Sequence, residues 1–137
     1  MSAVEPKVFL DSNVVLYLLS QNKAKADRAE ALLARPSMIS VQVLNEVTRV
    51  CSGKLKMTWS EIHTFLELVR QFCSVTPLTE AVHVRARQLA ERYRLAFYDA
   101  VIVAAALAEG CPTLYSEDMH HGLIIDDSLI IRNPFRQ

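Results

Sequence analysis

The chain has 137 residues, 51% of them hydrophobic, which supports one buried core without disulfides or metals as staples, so residues 1–137 are expected to form a single domain. Its 15 basic and 15 acidic side chains cancel, which removes any global electrostatic pull toward nucleic acid or membrane.

Val8, Phe9 and Leu10 read as a short buried strand ended by Asp11. Ser12 or Asn13 is then placed to cap a helix over residues 14–19, whose lack of a polar face predicts a central position. Residues 23–34 read as a surface amphipathic helix closed by Arg35 and Pro36. Met38 and Ile39 supply a second strand, Ser40 a cap, and residues 41–51 a helix stopped by Ser52 and Gly53. Thr58-Trp-Ser-Glu61 matches a capping box opening a helix to about residue 72, with Trp59 expected to anchor its entrance by packing. Val75 is too brief a run to define a strand, and Thr79 caps a helix to about Tyr93. Asp99 opens the most apolar helix, residues 100–108, which ends at Gly110; Thr113, Leu114 and Tyr115 form another strand, and residues 129–131 the last. Short apolar runs alternating with helices predict an α/β fold: a three-layer α/β/α arrangement around a short, mostly parallel sheet.

That architecture gives four acids a common address, since ligands bind parallel sheets beyond the carboxyl ends of the strands. Asp11 and Asp118 follow strands directly, and Glu46 and Asp99 lie on early helical turns. Two carboxylates ~4 Å apart repel by about 4 kcal/mol at an effective dielectric of 20, so a cluster of them calls for a divalent cation. Each acid also has an ordinary explanation. Asp11 and Asp99 sit where helix caps sit; Glu46, at the edge of the face formed by Val43, Leu44, Val47 and Val50, can pair with Arg49; Asp118 adjoins Glu117 in a loop. Asp99 fits its ordinary explanation worst, because residues 95–108 are otherwise almost wholly apolar. The helix dipole at that position is expected to favour its ionised form.

Other chemistries lack their signatures. With three glycines there is no serine-hydrolase elbow, phosphate-binding loop or dinucleotide loop. Cys51, Cys73 and Cys111 are odd in number, with no Cys-x-x-Cys and no histidine at zinc spacing, and read as buried thiols of a cytoplasmic protein. The opening residues lack a signal-peptide core, and the longest apolar run, 100–108, is too short to span a bilayer. His63 and His83 read as surface or boundary residues, while His120 or His121 is near enough to Asp118 to touch a substrate.

Asp-Ser-Asn after a strand, Asn-Glu on a later helix, Phe-Tyr-Asp-Ala opening an apolar helix and Leu-Tyr-Ser-Glu-Asp-Met-His-His-Gly near the end together resemble the PIN-domain nucleases. Their order and spacing are similar to those of the VapC-type toxins of bacterial toxin–antitoxin pairs. The resemblance implies an acidic quartet of Asp11, Glu46, Asp99 and Asp118, with Asn13 and Ser116 as polar helpers and Asp11 and Asp99 as principal metal ligands. It implies Mg²⁺ or Mn²⁺ as cofactor, an RNA substrate cut by endoribonuclease action, a cognate antitoxin and a homodimer. Serine stands at positions 12 and 116 where threonine is commoner, and Glu117 competes with Asp118 as the fourth acid. With four of the 15 acids set aside, 11 face 15 bases, so a filled site would sit on a mildly basic body. Arg49, Lys54, Lys56, Arg92 and Arg94 are the candidate phosphate contacts. A haloacid-dehalogenase-type phosphatase is the enzymatic alternative, although its second acid would fall at Asn13. A non-catalytic RNA-binding or antitoxin-binding PIN-like module is the other.

Overall fold

The computed structural model describes residues 5–136; the first four positions of the segment read as free of a signal-peptide core lie outside them. Six strands, β1 (Val8–Leu10), β2 (Ser37–Ser40), β3 (Ser74–Thr76), β4 (Thr113–Tyr115), β5 (Ile124–Ile125) and β6 (Leu129–Arg132), form one sheet in the order β3-β2-β1-β4-β6-β5. Every pairing is parallel except that of β5 with β6. Val75 does belong to a strand: three residues are enough because β3 is an edge strand held along its length by β2. The β5–β6 hairpin is absent from the sequence reading. Its turn uses Asp126 and Asp127 at φ 49° and 55°, a conformation Asp tolerates without glycine to announce it.

The helices are α1 (Ser12–Leu16), α2 (Lys23–Leu33), α3 (Val41–Ser52), α4 (Trp59–Phe72), α5 (Glu80–Tyr93) and α6 (Phe97–Ala108). They flank the sheet, as the alternation of patterns requires. Three starts form as their side chains dictate: Ser40 and Thr79 accept from Val43 N (3.3 Å) and Val82 N (3.1 Å), and Thr58 and Glu61 complete a reciprocal capping box. That box makes a packing anchor unnecessary, and Trp59 is in fact 61% exposed. The first helix is also shorter than expected. Asp11, rather than Ser12 or Asn13, is its N-cap, and after Leu16 the chain tightens into a 3-10 turn (Tyr17–Leu19) that leaves Leu19 exposed, so only Val14 and Val15 are central.

Helix α6 is buried along Ala100–Ala106, with small side chains that let α5 and α3 approach closely. It ends at Ala108 with Glu109 as its C-cap, and Gly110 follows with φ 70°, where any side chain would be strained. The three cysteines are buried and unpaired, as expected. No helix among the described residues is long and apolar enough to cross a membrane.

Close packing around α6 carries a stability consequence. Ala104→Leu should destabilise the protein by about 1–3 kcal/mol, because the inserted atoms have no void to fill; urea denaturation measures it, and an unchanged midpoint would show that the α5–α6 contact is loose.

Candidate active site

The site grows from a topological switch. Strand order reverses between β1 and β4, and the residues that follow these two strands come out side by side at their carboxyl ends. Asp11 N donates to Tyr115 O at 3.0 Å, and Ser116 N donates to Arg132 O at 2.9 Å, so both positions are fixed by the sheet itself.

Asp11 is 3% exposed and accepts on both oxygens. Its Oδ1 takes Ser12 N at 2.7 Å; its Oδ2 takes Ser116 Oγ at 2.6 Å and Asn13 Nδ2 at 3.2 Å. Asn13 reaches further, with Nδ2 3.2 Å from Asp118 Oδ2 and Oδ1 accepting from Glu117 N at 3.1 Å. Ser12 Oγ donates to Glu46 Oε1 at 2.8 Å, and Gln42 Nε2, one turn earlier on α3, donates to Glu46 Oε2 at 3.1 Å. Glu46 makes no ion pair with Arg49, the partner its ordinary explanation required.

Asp99 stands in the first turn of α6 and does not cap it: the N-cap is Ala96. Half-burial, followed by the charges of Glu46 and Asp118, raises its carboxyl above the usual range. The expected dipole effect is therefore outweighed. Burial likewise lifts Asp11 to about 6, against the lowering effect of the bonds from Ser116 and Ser12, with Glu46 and Asp99 adding repulsion. The bonds from Ser12 to Asp11 and Glu46, those from Asn13 to Asp11 and Asp118, and the charges felt by Asp99 bring the four acids of the sequence reading around one crevice.

Glu117 belongs elsewhere. Its carboxylate accepts from Tyr17 Oη and, at 2.6 Å, from Lys25 Nζ, and these bonds hold its pKa below the ordinary value despite the opposing effect of burial. Asp118, exposed and tied among the described residues only to Asn13, is the acid of this pair that faces the crevice. His121 Nδ1 is occupied by Asn133 N at 2.9 Å, and His120 is exposed. Of the candidate basic residues, Arg49 lines an open cleft with Ser12, Asn45, Glu46 and Tyr98, whereas Arg92 turns to Asp126 at 3.5 Å.

Two features alter the expected carboxylate cage. Among the described residues, no three acidic, histidine or cysteine side chains stand close enough to hold one ion. Ser12 and Asn13 bridge the acids instead, relieving by hydrogen bonding what would otherwise be direct repulsion. Among the described residues none of the four acids is paired with a lysine or arginine, so the donor set is all oxygen, anionic and without a countercharge. Hard divalent cations suit such a set. Ser12 and Gln42 are the site residues missed by the sequence reading, and the i, i+4 spacing of Gln42 and Glu46 was the available signal.

These features define an α/β domain with an acidic crevice at the switch point of a parallel sheet. Residues 8–122 match the PIN domain family, and the chain belongs to it. No curated protein sequence matches it. Among solved structures, a toxin–antitoxin complex from Klebsiella pneumoniae is 18% identical, with a TM-score of 0.72 over 96% of this chain and 100% of the other. FitAcB from Neisseria gonorrhoeae is 19% identical, with a TM-score of 0.67 over 95% and 99%. The Mycobacterium tuberculosis toxin VapC20, described as cleaving the sarcin–ricin loop, is 19% identical, with a TM-score of 0.63 over 79% and 87%. At these identities the likeness establishes the fold.

Because the folded Asp11 carboxyl titrates near 6 rather than 3.8, its contribution to stability is complete below pH 4 and is lost as pH rises through about 6. Relative to Asp11→Asn, the metal-free wild type should lose on the order of 3 kcal/mol between pH 4 and pH 7. Denaturant titrations of both proteins across that range measure the difference; a constant gap would mean that Asp11 is not held in its protonated form by burial.

Proposed function

We propose that this chain is a metal-dependent endoribonuclease that hydrolyses RNA phosphodiester bonds, and that it is the toxin of a toxin–antitoxin pair. The observation that carries the reading is the uncompensated acidic crevice: Asp11, Glu46, Asp99 and Asp118 converge from four chain segments, with no lysine or arginine neutralising them among the described residues. Membership of the PIN domain family and the toxin complexes that share the fold support it. The family assignment leaves the phosphatase alternative without an observation in its favour.

Asp11 and Asp99 would hold a Mg²⁺ or Mn²⁺ ion, with Glu46 and Asp118 holding a second or orienting water. When bound, the metal supplies positive charge and Lewis acidity where phosphate and attacking water meet. The protein's part is positioning. Ser116 and Ser12 fix both oxygens of Asp11, so its carboxylate is presented without rotational freedom. Glu46, held by Ser12 and Gln42 on the wall of the cleft, orients the attacking water and accepts its proton. Asn13 keeps Asp118 on the same side, and Arg49, one turn beyond Glu46, meets a phosphate.

The partner half of the proposal is a cognate antitoxin, with the toxin acting in the cytoplasm as a homodimer of single-domain chains. Several structures of the same fold are complexes with antitoxins. A groove between the 3-10 turn and α4, floored by Phe65 and Val69 and edged by exposed Leu19, Leu68 and Phe72, offers apolar surface for such a protein.

Incubation of total cellular RNA with wild type and Asp99→Asn, with and without Mn²⁺, tests the enzymatic half. Asn is nearly isosteric, and no hydrogen bond of Asp99 is lost among the described residues. Cleavage should require Mn²⁺ and fall by more than about 100-fold in the variant, beyond what loss of an outer hydrogen-bond partner costs. Thermal stabilisation by Mn²⁺ should vanish with it. Equal cutting by both proteins would defeat the assignment. Expression should also arrest growth unless the adjacent reading frame is co-expressed, and harmless expression alone would remove the toxin role.

A further inference from the structure

The Phe97-Tyr98 pair that precedes Asp99 has no place in the core. Tyr98 is 61% exposed and Phe97 37%, on a helix whose buried stretch begins only at Ala100. Burial of these rings therefore does not explain their position. Tyr98 instead lines the cleft shared by Ser12, Glu46, Asn45 and Arg49 and immediately precedes Asp99, so it stands beside two of the four acids.

The ring is supported from behind. Phe97 packs against Tyr98 with centroids 5.7 Å apart and planes inclined at 55°, and His83 of α5 meets Phe97 edge-on at 5.5 Å and 68°. Three consecutive rings thus run from α5 to the crevice. No hydrogen bond engages the Tyr98 hydroxyl among the described residues, which leaves the aromatic face as its functional surface. Across the cleft, Asn45 and Arg49 are one helical turn apart on α3 and present an amide and a guanidinium.

We propose that Tyr98, backed by Phe97 and His83, is a stacking platform for an unpaired nucleobase beside the scissile phosphate, so that the cleft selects single-stranded or looped RNA over duplex. The proposal rests on the ribonuclease reading. Bases within a duplex are already stacked on one another and offer only their edges, whereas an unpaired base can turn its face to an exposed ring. Arg49 would hold the adjoining phosphate, and Asn45 is placed to meet a base edge or ribose hydroxyl. Tyr98 is a specificity-determining residue in this arrangement and takes no part in bond cleavage.

The test uses the RNA segment spanning a cut that wild type makes in total cellular RNA, prepared as a single strand and as a duplex. With Mn²⁺, Tyr98→Ala should raise KM for the single strand by about 5- to 100-fold, with kcat changed far less, the range expected for losing one base–aromatic stack. Tyr98→Phe should stay within about twofold of wild type, because the ring rather than the hydroxyl is used. A 2-aminopurine placed beside the cut should be quenched on binding to Asp99→Asn and to Asp99→Asn with Tyr98→Phe, but not when Tyr98→Ala is combined with Asp99→Asn. Unchanged Mn²⁺ stabilisation in Tyr98→Ala would show that the metal site survives.

Wild-type KM and quenching in Tyr98→Ala would overturn the platform while leaving the nuclease intact. So would an equal loss on duplex RNA, or a change in oligomeric state with RNA affinity preserved, which would assign the rings to a protein interface. Failure of wild type to cut any RNA would remove both proposals together.

Discussion

The site depends on one buried carboxylate. Asp11 emerges from the middle of the sheet where solvent cannot hydrate it, and three donors from two chain segments, Ser12, Asn13 and Ser116, satisfy it instead. Those bonds lower the cost of ionisation without removing it, which is why the carboxyl still titrates near 6. The same bonds tie the end of β1 to the end of β4, so the charged group and the sheet register define each other. Charge density in the crevice is consequently a product of the fold's topology, with no contribution from a generally acidic surface.

Around that carboxylate the structure distinguishes acids compensated by cationic or hydroxyl partners from acids without a countercharge among the described residues. Glu117 and Asp126 are compensated: the first by Lys25 and Tyr17, the second by Tyr93, Arg85 and Arg92. Their pKa values are lowered. Asp11 and Asp99 are raised, because burial and like-charged neighbours act on them without an opposing cation. Opposite perturbations within one small domain separate the compensated carboxylates from the uncompensated ones, and the proposed metal ligands fall in the second group. Glu117 and Asp118, adjacent in sequence, differ in their partners: Lys25 and Tyr17 bond the first, whereas Asn13 meets the second.

Much of this was legible in the chain. Strand β1, the caps at Ser40, Thr58 and Thr79, and the convergence of acids that follow strands all come from local pattern and the geometry of parallel sheets. What escaped was set by tertiary contact. β3 exists because β2 pairs with it, β5 because of a hairpin whose turn contains no glycine, and the exposure of Trp59 because the capping box needs no help from its ring. The role of Ser12 was equally hidden, since a hydroxyl one residue after Asp11 looks like a cap until Glu46, 34 positions later, is brought beside it. The choice between Glu117 and Asp118 turned on Tyr17 and Lys25, about a hundred residues away.

Arg49 is the single basic side chain among the described residues lining the cleft. A polyanion seated there would displace few condensed counterions, and its affinity would decline gently as ionic strength rises, unlike that of proteins that track a backbone with rows of lysine and arginine. Discrimination between partners then falls to contour and surface chemistry within the cleft, which changes little with the salt content of the cell.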